Sequence, residues 1–322
     1  MFRILCLDGG GILGAFTASV LEELENSTGQ AISTRFDLIA GTSTGGILAL
    51  GLALGFSASE LRAFYEERGR NIFPHTSRFS RARAAFRQLF RPKLDQGPLL
   101  QELYQILGDR RFGEAQSRLI IPTFDAVEGR IYVFKTAHDP RFVNDLDIPA
   151  VEVALATSAA PTYFSAARSA TRTGAQYVDG GVWANNPSMV ALIEAIAILG
   201  HTPDEIALLS VGTTTTPFSI SKHENSGAMS WNVGLIDLLM RGQAEAAAAQ
   251  ASLLLGDRYH RIDFVATEGQ FSMDDGRQDK ISDLVALGRN QAQKRRNLQP
   301  VSELFLNDRP VEPFQPVSRR AV

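Results

Sequence analysis

A serine between two glycines stands where a mostly apolar run ends. Ser43 lies between Gly41 and Gly45, after residues 36–40 and before the apolar residues 46–50. This order predicts a strand that turns sharply into a helix, which lifts the serine hydroxyl clear of the sheet and accepts only small neighbours. The free amides at the start of that helix favour negative charge on the serine oxygen. The segment therefore predicts a nucleophile for acyl transfer.

Three consecutive glycines follow the first predicted strand of the chain. Gly9, Gly10 and Gly11 have no Cβ atoms, so their N–H groups can turn toward one point. Such a cradle can serve as an oxyanion hole, and the loss of one donor from an oxyanion hole removes about 3 to 4 kcal/mol of transition-state stabilisation. We interpret these glycines as the anion-binding part of the same site.

The same loop has a second interpretation as a nucleotide-phosphate-binding module. Gly9-x-Gly11-x-x-Gly14 matches the glycine pattern of dinucleotide-binding proteins. That pattern is completed by an acidic residue about twenty positions further on, at the end of the second strand. Here the second predicted strand ends in residues 40–43, which contain no acid. The sequence therefore favours the oxyanion hole.

An aspartate followed by two glycines ends a further predicted strand. Asp179 precedes Gly180 and Gly181, and a helix is predicted to begin at Pro187 or the next residue. The glycines allow the carboxylate to approach a serine to about 2.6 to 3.2 Å, the distance at which it can act as a general base. An aspartate before glycine also commonly caps its own turn. The presence of Ser43 and the glycine loop favours the role of base.

In this order, the three segments resemble the patatin-like phospholipase family, and the likeness extends through residues 154–164. It is clearest over residues 1–213. The resemblance implies an α/β fold, a three-layer α/β/α sandwich with a largely parallel central sheet. It also implies a Ser–Asp dyad with Ser43 as nucleophile, Asp179 as base and the amides of Gly9 to Gly11 as oxyanion hole.

The resemblance also implies a substrate and a mode of regulation. It predicts an enzyme that releases fatty acids from membrane glycerophospholipids. Some bacterial members of the family are effectors of antiviral defence that a cyclic dinucleotide activates, and this compact chain is similar to them. The family commonly has a basic residue just before the last glycine of its glycine-rich motif, whereas this chain has Leu13, which brings no charge to the site.

A Ser-His-Asp esterase is the alternative to the dyad. Ser43, Asp179 and then His223 or His260 would follow the chain order of the α/β-hydrolases. In that fold several strands precede the nucleophile, whereas here only one clear strand precedes the strand of the elbow. His260 alternates with apolar residues and is predicted on the solvent face of a strand. The remaining histidines lie in polar, loop-like stretches: His75, His138 and His201.

Composition agrees with an enzyme that has one large domain. The chain has 322 residues, a formal net charge of −3 and a single cysteine, Cys6. We therefore expect no DNA or RNA partner and no intrachain disulfide. No metal-binding spacing occurs, so no metal and no cofactor are predicted.

No apolar run is long enough to span a bilayer, and the first strand leaves no room for a signal peptide. We expect a cytoplasmic protein, with a peripheral position at the inner membrane surface as one option.

A basic segment with interleaved phenylalanines extends over residues 68–93. It contains eight Lys or Arg residues and no Asp or Glu. Such a segment can contact the anionic headgroups of a bilayer, where each basic residue contributes on the order of 1 kcal/mol. A packed linker and a regulatory anion site are the other interpretations, and the charge pattern favours headgroup contact.

Strand-like runs alternate with helical ones, which is typical of an α/β sandwich. Helices are predicted over 231–255 and 280–297. We interpret residues 1–306 as one catalytic domain, with C-terminal helices over 231–297. Residues 307–322 form a proline-rich tail, either poorly ordered or strapped to the surface. The later strand-like runs are 119–124, 130–135, 175–178, 206–211 and 259–265.

Overall fold

The computed structural model of the chain describes residues 1–74, 93–216 and 228–317, without the side chains of residues 228–237. Its strands are β1 (Phe2–Leu7), β2 (Leu38–Gly41), β3 (Arg118–Asp125), β4 (Arg130–Lys135), β5 (Ala167–Arg168), β6 (Gln176–Asp179), β7 (Ile206–Val211) and β8 (Tyr259–Ile262). Its α-helices are α1 (Gly14–Thr28), α2 (Thr44–Ala53), α3 (Ala58–Ile72), α4 (Gln96–Leu107), α5 (Ala150–Ser158), α6 (Gly181–Ala184), α7 (Ser188–Ile193), α8 (Ala228–Leu255), α9 (Gln278–Gln293) and α10 (Arg295–Val301).

The strands form one mixed sheet, hydrogen-bonded in the order β5-β6-β3-β2-β1-β7-β8. Strands β6 and β2 pair with successive parts of one edge of β3, and β4 pairs with its other edge. The five strands from β3 to β8 along this order are parallel to one another. Strands β4, β5 and β6 join through antiparallel pairs. The predicted α/β fold with a largely parallel sheet is confirmed.

Side chains of β1 alternate between two cores, one on each face of the sheet. Leu5 and Leu7 belong to the core that helices α1 to α5 and α9 complete. Ile4 and Cys6 belong to a second core, completed by residues of α7 and α8. Because successive side chains of a strand point to opposite faces, a continuous apolar strand requires helices on both sides. The result is the predicted three-layer arrangement.

Strands β2 and β6 share one edge of β3, and this arrangement positions the site. Ala40 of β2 pairs with Ile120, whereas Asp179 of β6 pairs with Thr123 three residues further along β3. Since β2 is parallel to β3 and β6 is antiparallel to it, the carboxyl ends of β2 and β6 face each other. The residue that follows β2 therefore lies close to the last residue of β6.

Most predicted elements are present, and two end earlier than expected. The strand predicted over 259–265 ends at Ile262 because Asp263 turns its carboxylate to the backbone amides of Thr214 and Phe264. The helix predicted over 280–297 is broken at Lys294, which has extended backbone dihedrals between α9 and α10. The helix that begins at Ser188 continues as a π-helical turn to Ile198.

Residues 307–317 run along the surface as a strap. Val311 donates its N–H to the carbonyl of Thr34 at 2.8 Å, and Val317 donates to the carbonyl of Ala137 at 2.7 Å. The guanidinium of Arg3 donates to the carbonyl of Arg309 at 3.1 Å. These bonds fit the strapped alternative for the part of the tail that the structure describes.

Most of the basic segment lies outside the described residues, so its contact with lipid headgroups stays a prediction. At its two described ends, Arg68 pairs with Glu102 at 3.1 Å, and Lys93 pairs with Asp274. In the part of the chain that the structure describes, no helix combines the length and the hydropathy needed to cross a bilayer.

Candidate active site

The turn between β2 and α2 has the geometry expected of a nucleophile elbow. Ser43 has φ 55° and ψ −123°, a strained conformation for a residue with a side chain. A Cβ atom on Gly41 would lie 2.1 Å from the carbonyl oxygen of Gly45, and one on Gly45 would lie 2.2 Å from that of Leu7. Only glycine fits at either position, because the turn presses against itself and against the end of β1.

The hydroxyl of Ser43 donates to the carboxylate of Asp179. The distance from Oγ to Oδ2 is 2.6 Å, and the two residues are 136 positions apart in the chain. The other carboxylate oxygen, Oδ1, accepts the N–H of Gly181 at 2.7 Å. Asp179 is 2% exposed. Each oxygen of the carboxylate thus has one fixed partner, and one of these partners is the serine.

Burial controls the proton affinity of Asp179. Removal from water raises the pKa of this carboxyl to about 6, while the hydrogen bonds from Ser43 and Gly181 oppose the rise. Both opposing groups are neutral. The carboxylate is therefore ionised at neutral pH and is a stronger base than an ordinary aspartate.

Thr157 holds the elbow from the opposite side. Its Oγ1 accepts the N–H of Ser43 at 3.0 Å and donates to the carbonyl of Pro122 at 2.7 Å. The hydroxyl therefore fixes the backbone of the strained serine to β3. The sequence offered a weak signal for this residue, because it lies in the 154–164 stretch of the resemblance, but its partner is 114 positions away.

One of the three amides of the glycine loop has a backbone partner. The N–H of Gly9 donates to the carbonyl of Asn185 at 3.0 Å, so in this structure it is already engaged. Gly10 and Gly11 line the same cavity as Ser43. The role of Gly9, Gly10 and Gly11 as an oxyanion hole stays a prediction, and the bond to Asn185 favours Gly10 and Gly11 as its donors.

A buried ion-pair cluster supports the base of this loop. Arg261 of β8 donates to Asp8 and to Asp263, each at 2.7 Å, and to the hydroxyl of Ser210 at 2.6 Å. Burial lowers the pKa of Arg261, but the charges of the two aspartates outweigh this effect and raise it above its ordinary range. Arg261 lies 253 positions from Asp8, and no pattern in the sequence pointed to it.

A cavity of about 350 Å³ opens onto Ser43 and Asp179. Its volume falls within the range of small-molecule sites, roughly 300 to 1,000 Å³. Most of its wall is aliphatic or aromatic, which suits an acyl chain. These apolar lining residues include Leu13, Ile47, Phe64, Ile72, Phe73, Leu99, Phe164, Val182, Met240 and Phe271.

His260 does not lie on a solvent face, so that prediction is wrong. Its ring is half-buried and its Nε2 is buried, because β8 packs against α10. Burial lowers its pKa, and a hydrogen bond with Asn297 opposes this shift. His223, the other histidine considered for a triad, lies outside the described residues, as does His75.

The two other described histidines have partners elsewhere in the molecule. His138 is buried, with Nε2 at 2.9 Å from a carboxylate oxygen of Glu194 and Nδ1 at 3.0 Å from the hydroxyl of Thr136. His201 stacks against Phe2, with ring centroids 4.2 Å apart. These contacts give both rings a structural role.

The chain is similar to several known proteins. The family model of patatin-like phospholipases matches residues 5–192. A cGAMP-activated phospholipase of Pseudomonas aeruginosa is 34% identical over 317 residues, which cover 98% of this chain and 92% of the relative. A protein of the same name from Vibrio cholerae is 37% identical over 268 residues, 78% of this chain and 75% of the relative. The crystal structure of VipD from Legionella pneumophila matches with a TM-score of 0.46 and 13% identity, over 94% of this chain and 67% of that one.

Proposed function

Since the chain belongs to the patatin-like phospholipase family, we propose that it releases fatty acids from membrane glycerophospholipids with Ser43 and Asp179 as its catalytic dyad. It is a hydrolase of lipid esters. The observation that carries the dyad is the contact of 2.6 Å between the serine hydroxyl and the buried carboxylate. Family membership also favours the oxyanion interpretation of the glycine loop over a nucleotide-binding module.

In the proposed mechanism Ser43 Oγ attacks the ester carbonyl carbon while Asp179 takes the hydroxyl proton. The carbonyl oxygen becomes an oxyanion and accepts hydrogen bonds from the amides of Gly10 and Gly11. When the tetrahedral intermediate collapses, the proton passes from Asp179 to the leaving alcohol of the lipid, and an acyl-enzyme remains. Asp179 then deprotonates the water that hydrolyses the acyl-enzyme, which releases the fatty acid and restores Ser43.

The dyad depends on the burial of its base. A serine hydroxyl is a weak acid, so an ordinary carboxylate activates it poorly. A pKa raised to about 6 narrows this gap while the carboxylate remains ionised at neutral pH. The hydroxyl of Thr157 accepts the N–H of Ser43, and the N–H of Gly181 donates to the carboxylate of Asp179. These two hydrogen bonds hold the serine backbone and the carboxylate in place, so that little reorganisation precedes the attack.

We also propose that a cyclic dinucleotide activates this enzyme, as the names of its relatives state for those proteins. The alignment with the Pseudomonas aeruginosa relative covers 98% of this chain, so the proposal applies to the chain as a whole. In this role the protein acts as an antiviral-defence effector in the cytoplasm, at the inner surface of the membrane. Residues 1–306 form the proposed catalytic domain and 307–322 its tail.

Fatty-acid release from phospholipid vesicles, with and without cGAMP, tests both proposals. We expect release that increases when cGAMP is added, and a loss of at least about a thousandfold in Ser43→Ala, since removal of a catalytic nucleophile has effects of this size or larger. Thermal melting of the variant checks its fold. Release by folded Ser43→Ala at the wild-type rate would contradict the proposed nucleophile. Release that is equal with and without cGAMP would contradict the proposed activation.

A further inference from the structure

The cavity has an apolar wall and a polar wall, supplied by different elements. The apolar wall comes mainly from α3, α4 and the loop after α5, whose side chains also belong to the larger core. The polar wall comes from the segment after β7 and from α8, which contribute Thr214, Thr216 and Arg241. A lipid with an acyl chain and a polar headgroup needs two such surfaces.

Arg241 is the single basic side chain among the described residues that line the cavity, and Asp179 is the single acidic one. The guanidinium of Arg241 donates to the hydroxyl of Thr216 at 2.9 Å and also to the carbonyl of Thr216. Leu13, which lines the same cavity, brings no charge to it. Among the described lining residues, the positive charge therefore lies on the polar wall.

The position of Arg241 is fixed relative to the dyad. Two residues further along α8, the side chain of Gln243 donates to the carbonyl of Gly181 at 2.7 Å and accepts the N–H of Asn185 at 3.1 Å. Gly181 is the residue whose N–H binds Asp179. The helix that carries Arg241 is thus hydrogen-bonded to the turn that holds the catalytic base.

The polar wall also carries backbone strain. Thr214 has φ 81°, a left-handed conformation that is rare for a β-branched residue. The carboxylate of Asp263 holds it there by accepting its N–H at 3.2 Å. Strain of this kind persists where the surrounding structure enforces it and is concentrated at functional sites. Asp263 therefore helps to fix the shape of the polar wall.

We propose that Arg241 binds the phosphodiester group of the lipid substrate and so selects phospholipids over uncharged esters. This inference rests on the proposed function. A guanidinium binds phosphate oxygens through paired, charge-assisted hydrogen bonds. Arg241 is a specificity-determining residue in this account: it orients the headgroup on the polar wall while the acyl chain lies against the apolar wall and the ester carbonyl faces Ser43.

The test compares two substrates with the same acyl chain, a phosphatidylglycerol and an uncharged diacylglycerol, in identical detergent micelles with saturating cGAMP. For Arg241→Gln we expect kcat/KM for the phospholipid to fall at least about tenfold, mainly through KM, as for the loss of a charge-assisted contact. Hydrolysis of diacylglycerol should be unchanged. Arg241→Lys should recover part of the loss, because it keeps the charge without the planar fork.

Arg295→Gln is the matched control, since Arg295 is an exposed arginine that donates to Gln299 outside the cavity. If kcat/KM fell equally for both substrates in folded Arg241→Gln, the inference would be overturned. The arginine would then act only by stabilising the wall of the cavity, for example through Thr216. In a separate cGAMP titration of Arg241→Gln, a shift confined to the concentration for half-activation would also overturn it, by assigning the phosphodiester contact to the activator. A wild-type enzyme inactive on both substrates would refute the proposed function itself and this inference with it.

Discussion

Asp8 and Asp179 occupy similar local settings at the same edge of the sheet. Asp8 follows β1, Asp179 ends β6, and each is followed by glycine. Both side chains are buried. Burial raises the pKa of each carboxyl to about 6. From sequence and burial alone, either residue could be the base of a hydrolase.

The two aspartates differ in the charge of their partners. The pKa rise of Asp8 is opposed chiefly by the Arg261 guanidinium at 2.7 Å. The rise of Asp179 is opposed only by a hydroxyl and an amide, both neutral. Asp8 pairs with a cation that has no proton to give up at neutral pH, whereas Asp179 faces a hydroxyl whose proton it can accept during the reaction. The difference in partners therefore favours Asp179 over Asp8 as the proposed base.

The largest effect on stability should follow from removal of the cation beside Asp8. Arg261→Met leaves the buried Asp8 and the partly buried Asp263 without their common partner, and breaking a buried ion pair in this way destabilises proteins by about 3 to 5 kcal/mol. We expect a loss of this size in the free energy of unfolding, measured by urea denaturation at neutral pH. Adding Asp8→Asn to Arg261→Met should restore part of the stability, because it removes one uncompensated charge.

A surface arginine serves as the matched control for that variant. Arg289 lies within 3.8 Å of Glu22 and Glu23, and its side chain is 52% exposed. Arg289→Met should change the free energy of unfolding by less than about 1 kcal/mol, as is usual for exposed pairs. If Arg261→Met were equally mild, the cluster around Asp8 would not be the support of the glycine loop that we describe.

Substitution of Asp179 should change the free energy of unfolding by a smaller amount and in the opposite direction. Because its pKa in the folded state is raised from 3.8 to about 6, the ionised carboxylate destabilises the fold above pH 6 by up to about 3 kcal/mol. This destabilisation disappears as the pH falls below the unfolded-state pKa. Asp179→Asn removes the charge while its amide can still pair with Ser43 and Gly181. The variant should therefore be more stable than the wild type at pH 8.

The difference between Asp179→Asn and the wild type should shrink toward pH 4, since the wild-type carboxyl then becomes neutral as well. Unfolding curves at pH 8 and at pH 4 to 5 measure it. Asp8 is present in both proteins, so its own titration cancels from the comparison. A variant that is less stable than the wild type at pH 8 would mean that the carboxylate is stabilised by its surroundings, like a structural aspartate.

The sequence predicted the segments of the proposed site because local geometry selects their residues. A Cβ atom on Gly41 would lie 2.1 Å from the carbonyl oxygen of Gly45 in the same turn, and the apolar run of β1 predicts helices on both faces of the sheet. These features depend on residues that are close together in the chain, so a sequence motif reveals them. The predicted sheet and the positions of Ser43 and Asp179 follow from them.

Contacts between distant segments could not be predicted in this way. The bond that engages the amide of Gly9 comes from the backbone of Asn185, which no side-chain pattern reveals. Arg261 and Arg241 meet the site through β8 and α8, from the region that showed no functional motif. Asp8-Gly9 and Asp179-Gly180 therefore look alike in the sequence, and only the fold supplies the cation that distinguishes them.

The rate at which a fluorophosphonate labels Ser43, followed against pH in the presence of cGAMP, tests the dyad most directly. For the wild type we predict a single adduct, mapped by mass spectrometry to Ser43, and a rate that rises with a midpoint near pH 6 as Asp179 loses its proton. Asp179→Asn should label at least about a hundredfold more slowly, while His260→Ala should behave like the wild type. Labelling of folded Asp179→Asn at the wild-type rate, or a pH midpoint that disappears in His260→Ala, would contradict the account.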